Sequence, residues 1–161
     1  MPASGGEGDH TARRPEAWRK GMELLVRREQ SRRDLQRKLA AKGYEADEAA
    51  AAIDRLAAAG YQDDGRFGAC FARDRAAAGY GPVRIRQELA GHGLTGEQVE
   101  AALEACDLDW ADRLAAVVSR RFRAAELADP ARRRKAVDFL IRRGFEPGRI
   151  QDALRQVAAD D

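Results

Sequence analysis

Side chains able to do nucleophilic or proton-transfer chemistry are few in this sequence. There are two histidines, His10 and His92, and two cysteines, Cys70 and Cys106. His10 sits in a Gly-rich lead and His92 beside a turn glycine, so the two share no local setting. Cys70 lies three positions after Phe67, and Cys106 three after Leu103 and seven after Val99. That spacing puts each thiol on an apolar helical stripe, where it reads as a buried structural residue. No CxxC, HExxH or phosphate-loop motif occurs, and no Ser/His/Asp set is suggested. Asp63-Asp64 offers a carboxylate pair, but at the start of a helical run it reads as a cap, where acidic groups meet the positive end of the helix dipole. No catalytic set, metal site or cofactor site is expected, and the protein reads as a non-enzyme.

The chemistry that remains is that of arginine. The chain carries 25 Arg against 4 Lys, with a net charge of +2. Arginine holds phosphate and carboxylate through two parallel hydrogen bonds, so the excess points to nucleic acid or an acidic partner. A GC-rich genome would raise arginine and alanine together and accounts for it equally well. Two basic stretches stand out. One holds Arg27, Arg28, Arg32, Arg33, Arg37, Lys38 and Lys42, diluted by Glu29 and Asp34. The other holds Arg120, Arg121, Arg123, Arg132, Arg133, Arg134 and Lys135, diluted by Glu126 and Asp129. Each reads either as a solvated face with intrahelical pairs or as a surface for phosphates or an acidic protein. A single aromatic, Phe122, falls among these arginines, so a base-stacking platform is not supported.

The elements that must carry these residues are helices almost throughout. The pattern gives helices at 16–29, 32–42, 47–59, 64–78, 82–92, 96–105, 109–124, 130–143 and 147–158. Ser31 with Asp34 and Thr95 with Gln98 have capping-box spacing. Pro82 and Pro130 suit the first helical position. Gly43, Gly60, Gly79, Gly93 and Gly144 suit the left-handed residue that ends a helix. No run approaches the ~20 apolar residues of a membrane span, and the start of the chain lacks the apolar stretch of a signal peptide. A cytoplasmic location is the expectation.

The helices repeat. Leu39 to Gly43-Tyr44 recurs as Leu89 to Gly93-Leu94 and again as Leu140 to Gly144-Phe145, the glycines standing 50 and then 51 positions apart. Eight residues before each glycine come Leu35, Ile85 and Ala136. Six after come Ala49, Val99 and Ile150, and ten after come Ile53, Leu103 and Leu154. A shared period of this length signals an array. The reading is an all-α chain of three tandem three-helix repeats in an elongated, curved array. Residues 1–15 form a disordered lead, and the repeats occupy 16–60, 61–106 and 107–161. Leu, Val, Ile and Phe number 13, 7, 4 and 5, so the core is thin and alanine supplies close helix approach. Each Gly-turn helix pair also resembles a helix-turn-helix. Two of the three second helices start acidic, at Glu45 to Glu48 and at Thr95 to Gln98, which disfavours sequence-specific reading of a DNA groove.

The middle repeat carries a more specific likeness. Tyr61-Gln62-Asp63-Asp64-Gly65-Arg66-Phe67, followed by Gly79-Tyr80-Gly81-Pro82-Val83-Arg84-Ile85-Arg86-Gln87-Glu88-Leu89, resembles the signature of bacterial RecX regulatory proteins. The run Phe139 to Phe145 is similar to that family's closing motif. The likeness extends over about residues 16–158. Gln62 stands where the family usually has an apolar residue, and Gly68 where it usually has Ala.

The resemblance implies the three-repeat fold and binding along the groove of RecA recombinase filaments. It implies inhibition of strand exchange, ATP hydrolysis and coprotease activity, and so a place in DNA repair, recombination and the SOS response. It also implies some affinity for single-stranded DNA, and a monomer is expected. Within the signature, Phe67, Phe71, Ile85 and Leu89 read as core, and Asp64, Gly79 and Pro82 as helix ends. Arg66, Arg73, Arg75, Arg84 and Arg86 serve neither task and are expected contacts for the recombinase or for DNA phosphates. Arg33 and Arg37 in the first repeat, and Arg132, Arg133 and Arg134 in the third, join them. The alternative for Arg75 and Arg84 is an ion pair inside the fold, with a carboxylate such as Glu88 or Asp74.

Overall fold

In a computed structural model the described residues run from His10 to Asp160, with side chains described from Glu16. Every regular element among them is an α-helix: α1 His10–Arg27, α2 Arg32–Ala41, α3 Ala46–Ala58, α4 Asp64–Ala77, α5 Pro82–Gly91, α6 Gly96–Ala105, α7 Trp110–Arg121, α8 Ala124–Leu127, α9 Pro130–Arg143 and α10 Pro147–Ala159. None is long and apolar enough to cross a membrane. Residues 1–9 of the expected lead lie outside the described residues, and α1 starts at His10 rather than Glu16. Ala12, Arg13 and Arg14 are strong helix formers, and they carry the helix past Pro15, which forfeits one backbone bond. The other expected helices agree within two residues at each end, apart from the segment 109–124.

That segment ends early. Phe122 (φ −127, ψ 140) and Arg123 (φ −98, ψ 147) are extended. The single-turn helix α8 follows, opened by the Glu126 carboxylate, which reaches back to accept from the Arg123 N–H at 3.3 Å. The detour is driven by burial. It places Phe122 edge-on to Phe139 with ring centroids 5.9 Å apart and brings Leu127 into the core. Ala124–Leu127 therefore add a short helix to the third repeat before Pro130.

Two compact units emerge, each with its own core. One holds the chain up to Phe67 together with His92–Leu94, and the other holds Gly68–Gly91 and Thr95 onward. The expected second repeat, 61–106, is divided between them. In the first unit Leu35, Leu39, Ala49 and Ile53 form the centre, with Leu24, Leu25 and Tyr44 packed against it. Small residues set how closely α1 meets α3: a Cβ on Gly21 would stand 2.7 Å from Leu56 Cδ1. In the second unit a cluster of Leu114, Val118, Leu127, Ala136, Leu140, Phe145, Ile150 and Leu154 packs with Phe122, Val137 and Phe139. Four of the five apolar positions aligned by the repeat are buried in all three copies: Leu35, Ile85 and Ala136; Leu39, Leu89 and Leu140; Ala49, Val99 and Ile150; Ile53, Leu103 and Leu154. At the fifth, Leu94 and Phe145 are buried and Tyr44 is half-buried.

The turn glycines do more than end helices. All five expected ones have positive φ. At Gly43 the surrounding space is open. At Gly144 (φ +98) it is not, because a Cβ there would lie 2.4 Å from Arg84 Cβ and 2.5 Å from the Arg84 backbone nitrogen. The start of α5 is seated on this turn. Gly81 N–H donates to the Arg143 carbonyl at 2.7 Å, and Val83 N–H to the Gly144 carbonyl at 3.0 Å. A Cβ on Gly81 would meet the Gly144 carbonyl oxygen at 2.5 Å. The unsatisfied N–H groups of one helix start thereby serve the unsatisfied carbonyls of another helix end. Alanine at these positions separates the two tasks. Gly43→Ala should cost about 1–2 kcal/mol, the left-handed backbone penalty alone. Gly144→Ala adds overpacking and should cost about 2–4 kcal/mol. Urea unfolding of the two variants measures the difference, and equal losses would refute the close approach.

Candidate functional site

Capping splits the adjacent aspartates between two helices. Asp63 Oδ1 accepts from the Arg66 N–H at 2.9 Å and caps α4. Asp64, expected to cap that same helix, instead accepts from the Arg32 N–H at 2.8 Å and so caps α2, 32 positions away. Gln62 supports it: its Nε2 donates to Asp64 Oδ1 at 3.0 Å and to the Gln30 carbonyl at 3.4 Å. A polar residue at this buried position is thus explained by the polar helix start it faces. Ser31 Oγ accepts from the Asp34 N–H at 3.1 Å, as its spacing predicts. The Asp34 carboxylate does not return the bond. It meets His92 Nδ1 at 2.7 Å and Arg37 Nη2 at 3.3 Å. His92 also stands edge-on to Phe67, with centroids 5.2 Å apart. Both histidine and aspartate are thereby structural. The side chain of His10 lies outside the described residues.

The two cysteines differ in burial. Cys106 is buried, its thiol donating to the Ala102 carbonyl at 3.1 Å. Burial pushes that thiol above its ordinary range, against the opposing charge of Arg73. Cys70 is half-buried rather than buried. Among the described residues no three His, Cys, Asp or Glu side chains are grouped to hold a metal ion.

The five signature arginines all have partners within their own units. Arg66 Nε meets Glu29 at 2.6 Å, and its Nη2 donates to the carbonyls of Gly60 and Tyr61, each at 3.0 Å. Arg73 donates to the Ala105 carbonyl at the end of α6 at 3.2 Å. Arg86 holds Glu100 with two bonds, at 2.7 and 3.4 Å. Arg75 and Arg84 both bond Glu88, at 2.7 and 2.9 Å, which is the ion-pair alternative realised. No bond joins either one to Asp74. The expectation that these arginines serve neither core nor helix ends is corrected for Arg73 and Arg84, which cap carbonyls in the last turns of α6 and α9, and for Arg66, which holds the turn after α3.

Tyr80 is the centre of this network. The guanidinium carbons of Arg75, Arg84 and Arg143 stand 3.8, 4.5 and 4.5 Å from its ring centroid. Three cations around one ring are tolerable because the ring face is electron-rich and Glu88 neutralises two of them. Arg84 further donates to the Arg142 carbonyl at 3.2 Å, and Arg143 to the Ala78 carbonyl at 3.2 Å.

The remaining nominated arginines are freer. Arg33 and Arg134 are exposed and have no polar partner among the described residues. Arg37 makes only the Asp34 pair with 73% of its side chain exposed. Arg132 lies 3.8 Å from Asp129 with 65% exposed. Arg133 bonds Gln151 at 3.3 Å. Pairs this exposed contribute little to stability and exchange readily for an outside partner.

One group escapes the sequence reading. Arg113, Val117, Arg120 and Arg121 stand at i, i+4, i+7 and i+8 on α7, so one helix face carries three arginines. Together with Arg143 and Phe139 they line a cleft of about 270 Å³ in the second unit. The helical spacing is the available signal, but only Arg120 and Arg121 fall in a basic run.

Burial alone would raise the Glu88 carboxyl, but the bonds from Arg75 and Arg84 and their charges outweigh it and hold the group below its ordinary 4.5. A carboxyl depressed in the folded state stabilises the fold fully above its unfolded value, and the contribution is lost as pH falls through the folded value. Glu88→Gln should therefore lower stability at neutral pH by about 1 kcal/mol, the exposure of the pair limiting the loss. It should also flatten the acid limb, so that the urea midpoints of variant and wild type converge below pH 4.5. Parallel curves would show that Glu88 is not the linked group.

Comparison with known proteins fits this geometry. Three family models match in order: RecX, first three-helix domain, at residues 17–56; second three-helix domain, at 63–103; third three-helix domain, at 107–154. A protein of Xanthomonas axonopodis pv. citri (strain 306) named Regulatory protein RecX is 52% identical over 132 residues, 82% of each chain. One of the same name from Stenotrophomonas maltophilia (strain R551-3) is 48% identical, covering 82% of this chain and 81% of its own. The crystal structure of RecX from Lactobacillus salivarius shares the fold with a TM-score of 0.79 at 16% identity, over 92% of this chain and 99% of that one.

Proposed function

The chain belongs to the RecX family of regulatory proteins, and from that premise we propose that it binds RecA recombinase filaments in the cytoplasm and suppresses their ATP turnover, strand exchange and coprotease activity. The observation that supports this reading is the division among its arginines. Those of the signature are spent on holding each unit together, whereas Arg33, Arg37, Arg132 and Arg134 are exposed in the first two turns of α2 and α9 with weak partners or none among the described residues. Exposed guanidinium groups on each unit speed encounter with an acidic surface. Action is by differential binding: whichever filament state the protein prefers is the state it enriches.

Titration into preformed recombinase filaments, following ATP turnover, tests the reading. Wild-type protein should lower turnover in a saturable way. A combined Arg33→Glu, Arg37→Glu, Arg132→Glu and Arg134→Glu variant should need about tenfold more protein or greater for the same effect. Full suppression by the folded variant would remove these residues from the contact. Direct action on DNA is the competing account. It predicts equal affinity for bare and recombinase-coated single strands, with log affinity falling by about 0.7 per phosphate contact against log salt.

A further inference from the structure

The cleft between α4, α7 and α9 of the second unit is unlike the rest of the arginine surface. Arg113, Arg120, Arg121 and Arg143 line it, and no carboxylate does. Arg113, Arg120 and Arg121 have no carboxylate partner among the described residues, although Arg75, Arg84 and Arg86 of the same unit are all paired. The floor is apolar, formed by Val117, Phe139 and the alanines that end α4.

Two of the guanidinium groups are held in place. Arg121 lies 4.0 Å over the Phe139 ring, and Arg143 lies 5.1 Å from the same ring while donating to the Ala78 carbonyl. A guanidinium stacked on a ring keeps its N–H edges for acceptors in its own plane, the arrangement that grips a carboxylate with two bonds. Preorganised cations that meet no internal anion are the mark of a surface awaiting one.

We propose that this cleft docks an acidic peptide segment, one that places two or more carboxylates on the arginines and an apolar side chain on the Val117 and Phe139 floor. The proposal deepens the reading of the chain as a protein-binding regulator and rests on it. A peptide is favoured over a nucleic-acid strand by two observations. The Phe139 ring is already engaged by Arg121, Arg143 and Phe122, which leaves it poorly placed to stack a base. The space, about 270 Å³, suits a few short side chains rather than a tracked backbone.

The test uses the full chain and a short fluorescein-labelled peptide of glutamates around one leucine, with its glutamine counterpart as the neutral control, read by anisotropy without recombinase present. Wild-type protein should bind the glutamate peptide and not the glutamine one. The R113S/R120S/R121S variant, with helicity checked by circular dichroism, should weaken binding roughly tenfold for each charge-assisted bond to the peptide that it removes. R149S/R155S, which removes charge from α10 of the same unit, should leave it unchanged. Three results would overturn the proposal: no binding by wild type, equal binding by the triple variant, or displacement of the peptide by oligothymidine at lower concentration than by unlabelled peptide. Since the filament is absent, such a failure leaves the ATP-turnover titration to stand or fall alone.

Discussion

The second unit depends on two backbones lying against each other without a Cβ between them. The start of α5 donates Gly81 and Val83 N–H groups to the carbonyls of Arg143 and Gly144, and the contact closes only because both Gly81 and Gly144 lack side chains. Leaving those N–H and carbonyl groups buried and unpaired would cost about 1–3 kcal/mol each. The joint fixes where Tyr80, Arg84 and Arg143 can stand, and hence where Glu88 must sit to balance them. The first unit solves the same problem with side chains. Gly93 comes within 2.7 Å of Arg33 Cβ, measured from the Cβ it lacks, while Asp64 and the Asp34–His92 pair satisfy the polar groups around the start of α2.

The arginines divide along the same line. Those near the joints are consumed by carbonyls, carboxylates and rings, and act as struts whose removal would loosen a unit. Those on the outer turns of α2 and α9 and on one face of α7 do not carry the fold. A net charge of +2 conceals this division, because Glu29, Glu88 and Glu100 are placed against the struts. The charge available to a partner is therefore local and larger than the total suggests.

How much of this is legible in the sequence follows from the range of each interaction. Helices, turn glycines and the apolar positions of the repeat are local or periodic, and all the aligned apolar positions except the half-buried Tyr44 are buried. The Arg84–Glu88 pair, one helical turn apart, can be anticipated for the same reason. Arg86 with Glu100 and Arg66 with Glu29 span 14 and 37 positions, and spacing alone does not connect them. The break at Phe122 is hidden because no Gly or Pro marks it; a hydrophobic side chain seeking the core makes it. Arg143 reads as part of a turn motif, so its place beside Arg113 and Arg120 shows only once the helices are packed.

The separate duties of Asp63 and Asp64 bear on the order in which the protein can be made. Asp63 serves the helix it begins, but Asp64 closes the start of α2, a helix made 32 residues earlier. His92 reaches back further still, across 58 positions, to Asp34. A chain emerging from its N-terminus folds unit by unit as it is synthesised. Here the first unit has its hydrophobic centre early and its polar closure late, so it waits, half-latched, for residues that the ribosome delivers only while the second unit is already under way.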